Sequence, residues 1–585
     1  MKKKLAPFLV AQLAFASVAA ASDLKQTLAA SDIQTTVSTF TLVENTAFVP
    51  PSEAAAPISP FNGTLTFSES KLLTEPAKFK SEKVGGKFTQ VFPAISIAFV
   101  SDGENLIPAT QDIIRNGSLE PGTSYWDVIV QPGKIWSEVS DNGWSRASFP
   151  FSLVHSFEGE THNGVAIFLY KGDKVSSVRY QITQQTAPFL VEDYFTAGGT
   201  LNASFDGSGV SDARSIVDRF RQSEQSKFKI ADWSELAKRN PGIAVDNFDS
   251  DIARGELVAD GLRIDDTFYL KSCKTVAGPL PYCDRQRFGV WSVTKSAGVG
   301  VAMLRLAEKY EPDILEQKIS DYVTEAKGVA GWQDVTFGDA FSMSTGMGYG
   351  SEDPKHGISD PFDGPYTPWY SARTAAEKIR LMLRDGKRYP WKPGEVARYR
   401  DEDMFLLGVA LDRYVKTKEG ASADLWTFIN REVYEPLGIY YAPINATIEA
   451  DPKADQPLMF QGLYATFSDL MKIAKLYQDG GRIGNKQVLN AMLLHDILPS
   501  EAEFGLSTGV ARTPFYSRSF WRAKFEGKKC SFYFPSMQGW GKNFVMLLPN
   551  DMTVLRLAKT LDGNDAASNL DSMTAVANSI RPLCP

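Results

Sequence analysis

A serine and a lysine three residues apart are the side chains of this sequence best placed for chemistry. Ser292 and Lys295 stand in the run Trp-Ser-Val-Thr-Lys-Ser, which opens a segment of apolar helical periodicity. At that spacing the two side chains project from the same face of a helix. Burial and the positive end of the helix dipole are expected to lower the pKa of the Lys295 ammonium. A neutral lysine could accept the proton of the serine hydroxyl, so the pair predicts a nucleophilic serine with a lysine base.

The same two residues have a second interpretation, because Ser-x-x-Lys occurs by chance in many long chains. A serine at a helix start can cap the first turn, while a lysine beside it points into solvent. Other common catalytic patterns are missing from the sequence, including Gly-x-Ser-x-Gly, His-Glu-x-x-His, the Walker loop and the Rossmann glycines. Only four histidines occur and they are scattered. We therefore expect no metal or other cofactor.

Composition limits the classes of protein that remain. Among the 585 residues, 43% are hydrophobic and 22% are charged, which excludes a disordered or collagen-like chain. The net charge of −7 offers no basic surface pattern, so nucleic acid is not a predicted partner. The length favours two or more domains. Oligomeric state is not predicted.

The N-terminus has the order of features found in secretory signal peptides. Basic residues at 2–4 precede a mostly apolar run to Val18, and small residues at 19–21 follow. A membrane anchor is the alternative, but the run is rich in alanine, contains Pro7 and is short for a span. We predict cleavage near Ala21, a periplasmic or secreted location, and no stable membrane insertion of the mature chain.

The pattern of secondary structure changes near residue 210. Before it, β-branched or alternating runs predict strands at 94–100, 126–131, 164–170 and 175–183, with a hairpin at 171–174. After it, helical periodicity dominates at 212–225, 294–310, 373–385, 403–415, 467–478 and 569–580, with strands at 255–271 and 543–557. The sequence thus predicts a signal peptide at 1–21, an all-β, sandwich-like domain at 22–210, and an α/β or α+β domain at 211–585.

Three further segments follow the Ser-Lys pair in a characteristic order. They are Val335-Thr336 through Ser344-Thr345-Gly346; Pro393-Gly394, Tyr399-x-Asp401 and Leu406-Leu407-Gly408; and Gly462-Leu-Tyr-Ala-Thr-Phe-Ser-Asp-Leu. Together with FGVWSVTKS, they resemble the serine hydrolase family that contains class C β-lactamases, DD-peptidases and related esterases, across about residues 250–585. The resemblance implies the fold of that family, an antiparallel sheet flanked by helices.

The resemblance also implies roles for individual residues. Ser292 would be the nucleophile, Lys295 the general base, and Tyr399 the residue that passes a proton to the leaving group. The oxyanion would bind backbone N–H groups of Ser292 and of the strand end near Gly539 and Trp540. The reaction implied is acyl transfer to serine, followed by hydrolysis with water.

Two departures from the family pattern bear on the substrate. The family's Tyr-x-Asn ends here in Asp401, and an ionised carboxylate only accepts hydrogen bonds. Asp401 could pair with Lys295, bind an amine of the substrate, or face solvent. Met537-Gln538-Gly539 stands where the family carries a lysine or histidine that faces a substrate carboxylate. Without that cation, a substrate that carries a carboxylate is disfavoured.

We therefore predict an esterase or amidase that acts on a small-molecule ester or amide. In lacking the cation that faces a substrate carboxylate, the chain looks most like the 6-aminohexanoate-dimer hydrolase and carboxylesterase branches of the family. A β-lactamase or DD-peptidase, acting on β-lactams or peptidoglycan peptides, ranks below it. A catalytically weakened binding or regulatory protein is the remaining alternative.

The four cysteines are compatible with disulfide bonds if the protein is exported. Four cysteines allow three pairings, among which a sequence alone does not decide. Cys273 and Cys283 bracket a short loop, and Cys530 and Cys584 lie in the last sixth of the chain. We predict these two local pairs, with buried free thiols as the alternative.

Overall fold

The computed structural model describes residues 24–75, 90–116, 124–155, 158–189, 194–310, 312–359, 364–560 and 570–584. Two large sheets, of 12 and nine strands, dominate these residues. The predicted signal peptide at 1–21 lies outside the described residues.

The first sheet is antiparallel throughout and curls round one apolar core. Phe61, which precedes its first strand, places its ring 5.4 Å from that of Phe168, in a strand far across the sheet. A single curled sheet therefore stands where the sequence predicts a sandwich-like domain. Alternation along a strand shows which residues face a core, but it does not specify how many sheets the strands form. The strands are Asn62–Phe67, Leu73–Glu75, Ile95–Asp102, Asn105–Pro108, Asp127–Val130, Gly133–Ser137, Ser145–Val154, His162–Lys171, Lys174–Val175, Val178–Gln185, Thr196–Leu201 and Ala203–Asp206.

Two elements cover the outer face of this sheet. Apolar side chains near the start of the described chain pack against Trp136 and Ile167; they include Leu28, Ile33, Val43, Ala47 and Phe48. Helix Ala213–Gln225 buries Phe220 against Val100 and Ile107 of the same sheet. Both faces of the first sheet are thereby shielded from water over part of their area.

The second sheet joins strands from distant parts of the chain. Its first two strands are parallel and the others are antiparallel. In spatial order they are Lys229–Asp232, Thr267–Ser272, Leu257–Ile264, Met552–Ala558, Asn543–Leu548, Ser531–Gly539, Phe520–Glu526, Phe515–Ser517 and Leu506–Ser507. The other α-helices are Ala30–Gln34, Trp233–Arg239, Val301–Lys309, Ile319–Tyr322, Phe337–Phe341, Tyr366–Ser371, Ala375–Asp385, Asp401–Glu419, Leu425–Ile429, Phe467–Gln478, Ala491–His495 and Asp571–Ile580.

Two of the motif segments begin helices through the same local device. The Thr466 hydroxyl accepts a hydrogen bond from the Asp469 amide at 3.1 Å, and the Asp469 carboxylate accepts one from the Thr466 amide at 3.0 Å. Thr336 and Asp339 repeat this capping box at the start of Phe337–Phe341. Each box satisfies two backbone donors that the first helical turn leaves unpaired. These motif residues therefore set where their helices start.

Most predicted elements of the described chain are confirmed, with small shifts at their ends. The hairpin forms through the pair Lys171 and Lys174, and helix Phe467–Gln478 has the predicted bounds. The predicted helix at 294–310 begins instead with a wide π-helical stretch, Lys295–Gly300, before the α-helix. The strand predicted to end near Gly539 is present as Ser531–Gly539, whereas strands Leu506–Ser507, Phe515–Ser517 and Phe520–Glu526 are absent from the sequence prediction.

Both predicted disulfides are present. Cys273 is bonded to Cys283, and Cys530 to Cys584. The second bridge fixes the end of the chain to the start of strand Ser531–Gly539.

Candidate active site

Ser292 lies in a tight turn that enters the helical segment of the Ser-x-x-Lys motif. The residue before it, Trp291, has a φ of 51°, a left-handed conformation that is unfavourable for a bulky side chain. The Lys295 amide donates to the Ser292 carbonyl at 3.0 Å, which closes the turn. No described residue accepts a hydrogen bond from the Ser292 amide, and the residue is partly exposed. The turn thus presents a hydroxyl and a backbone donor at an accessible position.

The Lys295 ammonium is surrounded by three oxygen acceptors. Nζ lies 2.6 Å from Ser292 Oγ, 2.7 Å from Asp401 Oδ1 and 2.9 Å from the Phe460 carbonyl. The lysine side chain is 1% exposed. Three acceptors match the three N–H donors of an ammonium group. The geometry therefore fits a charged lysine that donates to the serine.

The charge of Lys295 differs from the sequence prediction. Burial does favour the neutral amine, but the charge and hydrogen bond of Asp401, with a contribution from Tyr399, outweigh burial and raise the pKa of Lys295 above its ordinary value. The predicted lowering of this pKa is wrong, because the prediction counted burial and the helix dipole and omitted the carboxylate. Of the three alternatives left open for Asp401, the structure has it paired with Lys295.

Asp401 is held between two hydrogen-bond donors at the beginning of a long helix. It is the first residue of Asp401–Glu419, where the helix dipole stabilises a negative charge. Its second oxygen, Oδ2, accepts a hydrogen bond from the Tyr366 hydroxyl at 2.7 Å. Sequence reasoning missed Tyr366, which lies in none of the motif segments. Tyr366, Asp401, Lys295 and Ser292 form one continuous hydrogen-bonded chain.

Tyr399 lies beside the same lysine. Its ring centroid is 4.9 Å from Lys295 Nζ, and aromatic contacts with Tyr516 and Trp521 hold the ring at 5.7 and 5.2 Å. The Tyr399 amide also donates to the Ile358 carbonyl. The structure thus brings together Ser292, Lys295 and Tyr399, the three residues predicted to do the chemistry.

Gly539, predicted at the oxyanion site, lies directly against the turn that carries Ser292. A Cβ at this position would be 2.3 Å from the Val290 carbonyl oxygen and 3.3 Å from the Ser292 amide nitrogen. Only glycine permits that approach. The end of strand Ser531–Gly539 and the following Trp540 therefore border the free Ser292 amide. Met537, at the position of the missing cation, is fully buried and brings no charge to the site.

The segment that precedes Ser292 is fixed by the third motif. Phe288–Gly289 pairs with Tyr464–Ala465 of the Gly-Leu-Tyr-Ala-Thr segment. The Leu463 amide also donates to the Thr294 hydroxyl at 3.1 Å. This motif consequently sets the path of the chain into the Ser292 turn.

Residues that connect strands of the first sheet also reach the Ser292 turn, which the sequence does not indicate. A Cβ at Gly159 would be 2.8 Å from the Trp291 ring, and one at Gly289 would be 1.7 Å from the Gly159 carbonyl oxygen. The Trp291 indole N–H donates to the Ala187 carbonyl at 3.0 Å. Two stretches of the first region, around 159 and 187, thus form part of the surroundings of Ser292.

A second buried carboxyl group lies beside Gly159. Glu160 is fully buried. Burial, the charge of Glu158 and its hydrogen bond all raise the pKa of Glu160 well above its ordinary value. Among the described residues no Lys, Arg or His forms an ion pair with Glu160. These surroundings favour the protonated form of Glu160.

The described residues lack both a membrane-spanning helix and a cluster of metal ligands. They contain no helix with the length and apolar character needed to cross a bilayer. They also contain no group of three or more His, Cys, Asp or Glu side chains arranged to hold a metal ion.

Comparison with known proteins gives one family match and several structural likenesses. The family model described as beta-lactamase matches residues 254–578, more than half of the chain. No curated protein matches the sequence.

Three solved structures illustrate the likeness. A Bacillus anthracis protein assigned as a 6-aminohexanoate-dimer hydrolase is 19% identical, with 59% of this chain and 79% of that chain covered and a TM-score of 0.40. A D-stereospecific amidohydrolase from Streptomyces sp. is 12% identical, with 58% and 99% covered and a TM-score of 0.39. A beta-lactamase/D-alanine carboxypeptidase from Yersinia pestis is 14% identical, with 60% and 98% covered and a TM-score of 0.42.

Proposed function

Because this chain belongs to the beta-lactamase family, whose members are serine hydrolases, we propose that it hydrolyses an uncharged ester or amide through an acyl intermediate on Ser292. The family match confirms the resemblance on which the sequence prediction rests. The observation that carries the proposal is the 2.6 Å contact between Ser292 Oγ and Lys295 Nζ, beside a Ser292 amide that has no hydrogen-bond acceptor among the described residues. A serine that is only a helix cap needs no such partner.

The proton of Ser292 must move through a lysine that starts as an ammonium. Lys295 passes one proton to Asp401 Oδ1, at 2.7 Å, and takes the Ser292 proton in its place. Ser292 Oγ then forms a bond to the carbonyl carbon of the substrate. After this step Lys295 is still charged and Asp401 is neutral, so the proton balance is complete.

The remaining steps use Tyr399 and water. Tyr399 gives a proton to the leaving oxygen or nitrogen as its bond to the acyl carbon breaks, and Lys295 returns that proton from Asp401. Water then attacks the acyl carbon, the same groups carry its proton in reverse, and Ser292 is released. The Ser292 amide and the backbone at Gly539 and Trp540 bind the oxyanion in both halves of the reaction.

The charges around Ser292 favour a substrate without a carboxylate. Met537 supplies no cation, and the Lys295 charge is already balanced by Asp401 at 2.7 Å. A carboxylate of a β-lactam or of a peptidoglycan peptide would be desolvated here without a dedicated partner. Neutral esters and amides therefore rank above both substrate classes.

Labelling with a fluorophosphonate probe tests the proposal. We expect one adduct, on Ser292, and hydrolysis of p-nitrophenyl esters. Ser292→Ala should abolish labelling and lower ester turnover by about 10⁴-fold or more. Ser296→Ala is the matched control, because its hydroxyl donates to the Ser519 carbonyl within the same helical segment; this variant should still be labelled.

Each contrary result points to one alternative. If the wild-type protein is neither labelled nor active on any ester or amide, the catalytically weakened binding protein is the better description. If nitrocefin is turned over rapidly, the ranking of substrates is wrong and the β-lactamase alternative replaces it.

We further propose that the protein is exported. The N-terminal pattern supports cleavage near Ala21, and two disulfides suit an oxidising compartment such as the periplasm or the cell exterior. The β-rich region at 22–210 and the hydrolase region at 211–585 would then make up the mature chain. Sequencing the N-terminus of the mature protein tests this, since an uncleaved Met1 would contradict it.

A further inference from the structure

An aromatic cluster joins the first region of the chain to the nucleophile turn. Its centre is Phe189, which lies in the connection between strands Val178–Gln185 and Thr196–Leu201 of the first sheet. The Phe189 ring centroid lies 5.2 Å from that of Tyr370, 5.6 Å from Trp540 and 6.2 Å from both Trp291 and Tyr366. The rings of Trp291, Tyr366 and Tyr370 are buried, whereas Phe189 and Trp540 are partly exposed. Two aromatic side chains of the cluster therefore reach solvent.

Three of the four aromatic neighbours of Phe189 connect it to the predicted catalytic residues. Trp291 precedes Ser292 in the turn. Trp540 follows Gly539, where an added Cβ would lie 3.3 Å from the Ser292 amide nitrogen. Tyr366 donates to Asp401, the partner of Lys295. Because Ser292 is itself partly exposed, the exposed parts of Phe189 and Trp540 border the place where a substrate must enter.

The polar groups of the two tryptophans are already used within the protein. The Trp291 indole N–H donates to the Ala187 carbonyl at 3.0 Å, and the Trp540 indole N–H donates to the Pro188 carbonyl at 2.9 Å. The Phe189 amide donates to the Glu158 carboxylate at 3.3 Å. These bonds hold the segment 187–189 in place and leave carbon surfaces to face the substrate.

We propose that Phe189 and Trp540 form an aromatic wall that selects substrates with an uncharged aromatic group next to the scissile bond. The inference rests on the proposed hydrolysis at Ser292 and names its substrate class. An aromatic ring of the substrate gains edge-to-face or offset contacts with both side chains. A segment from outside the matched range 254–578 thereby takes part in specificity.

Three esters test the wall and locate the aromatic group. Ethyl acetate has no ring, phenyl acetate has one on the alcohol side, and ethyl benzoate has one on the acyl side. We expect Phe189→Ala to lower kcat/KM about tenfold on at least one aromatic ester, mainly through KM, while ethyl acetate changes little. Phe189→Leu, which keeps apolar volume, should show the same selective loss to a smaller degree.

The control variant is Phe205→Ala. Phe205 is also a partly buried phenylalanine of the first region, but it lies in the edge strand Ala203–Asp206. Its ring centroid is 5.2 Å from that of Phe61. It should leave the ratio between the three esters unchanged. Equal losses on all three esters, or the same selective loss in Phe205→Ala, would overturn the wall.

Binding separates this inference from the proposed reaction. In a Ser292→Ala background, calorimetry with ethyl benzoate and phenyl acetate should show affinity that Phe189→Ala weakens about tenfold. Selective binding without any turnover by the wild-type protein would support the wall and contradict the hydrolase. Turnover by the wild-type protein without a selective effect of Phe189→Ala would support the hydrolase and contradict the wall.

Discussion

Buried carboxyl groups lie on both sides of the turn that carries Ser292, and they differ in what balances their charge. Asp401 has an ammonium at 2.7 Å, a tyrosine hydroxyl at 2.7 Å and a helix N-terminus. Glu160 has another carboxyl group, Glu158, as its electrostatic neighbour. The first arrangement therefore stabilises an ionised carboxylate, and the second favours the protonated form of Glu160. Burial alone does not decide whether an acid is ionised; its partners do.

The difference suggests a role in proton transfer for Asp401 and a role in packing for Glu160. A charged acid that touches the lysine beside a nucleophile can exchange a proton with it during a reaction. A neutral acid packed behind Trp291, through Gly159, contributes to the joint between the first sheet and the turn. The following variants exchange or remove these partners.

Removing the cation from the first site should have the largest effect. Lys295→Met abolishes hydrolysis and leaves Asp401 buried opposite an apolar side chain. Because an unpaired buried charge is strongly unfavourable, the free energy of unfolding should fall by about 3–5 kcal/mol. Urea unfolding at pH 7 measures it. The double variant Lys295→Met/Asp401→Asn should recover part of the loss; a double variant as unstable as Lys295→Met would contradict the explanation.

Neutralising the acid of the first site should alter the pH dependence of catalysis. In Asp401→Asn, burial becomes the main influence and lowers the pKa of Lys295. At pH 6 the lysine then lacks a proton acceptor, and kcat/KM should fall about 10²-fold. As the pH rises, the neutral amine forms and accepts the serine proton directly, so the difference from wild type narrows. If the pH profiles of kcat/KM for wild type and Asp401→Asn are parallel, the proton does not move through Asp401.

Neutralising the acid of the second site should affect stability and leave the mechanism intact. The pKa of Glu160 is raised in the folded state, so its stabilising contribution is present below the unfolded pKa, near 4.3, and is lost as the pH rises. Glu160→Gln should therefore match wild type near pH 4 and become more stable than wild type as the pH rises to 8, by about 1.4 kcal/mol for each pH unit between the unfolded and the folded pKa. Thermal and urea unfolding at both pH values measure the difference.

The exposed Glu104→Gln is the control for that experiment and should not change the pH dependence of stability. If Glu160→Gln is less stable than wild type at pH 8, then Glu160 is ionised and has a partner of its own. Both buried acids, Asp401 and Glu160, would then be ionised and stabilised by a charged partner.

Much of the candidate site could be predicted from local sequence. The Ser-x-x-Lys spacing, the capping residues at Thr336 and Thr466 and the glycine at 539 each act over a few residues, so their effects are visible in the sequence. The disulfides join the cysteines that are nearest in sequence, 10 and 54 residues apart. The catalytic roles of these residues are still predictions.

The rest depends on contacts between distant residues. The charge of Lys295 is decided by Asp401, 106 residues away, and a local pattern cannot show that pairing. Tyr366 and Phe189 lie outside every motif, and their positions follow from how helices and sheets pack. The curled first sheet was missed for the same reason, because strand pairing is a non-local property.

The order of strands in the second sheet has a consequence for synthesis of the chain. Strand Met552–Ala558 lies between Leu257–Ile264 and Asn543–Leu548, so Arg263 pairs with a residue 290 positions further on, Thr553. The strands of the first sheet are complete by residue 206. Regions of a growing chain fold from the N-terminus onward. The segment 187–189 is therefore synthesised long before strand Ser531–Gly539, whose end borders the Ser292 amide. The proposed hydrolysis therefore requires that the last tenth of the protein has been synthesised.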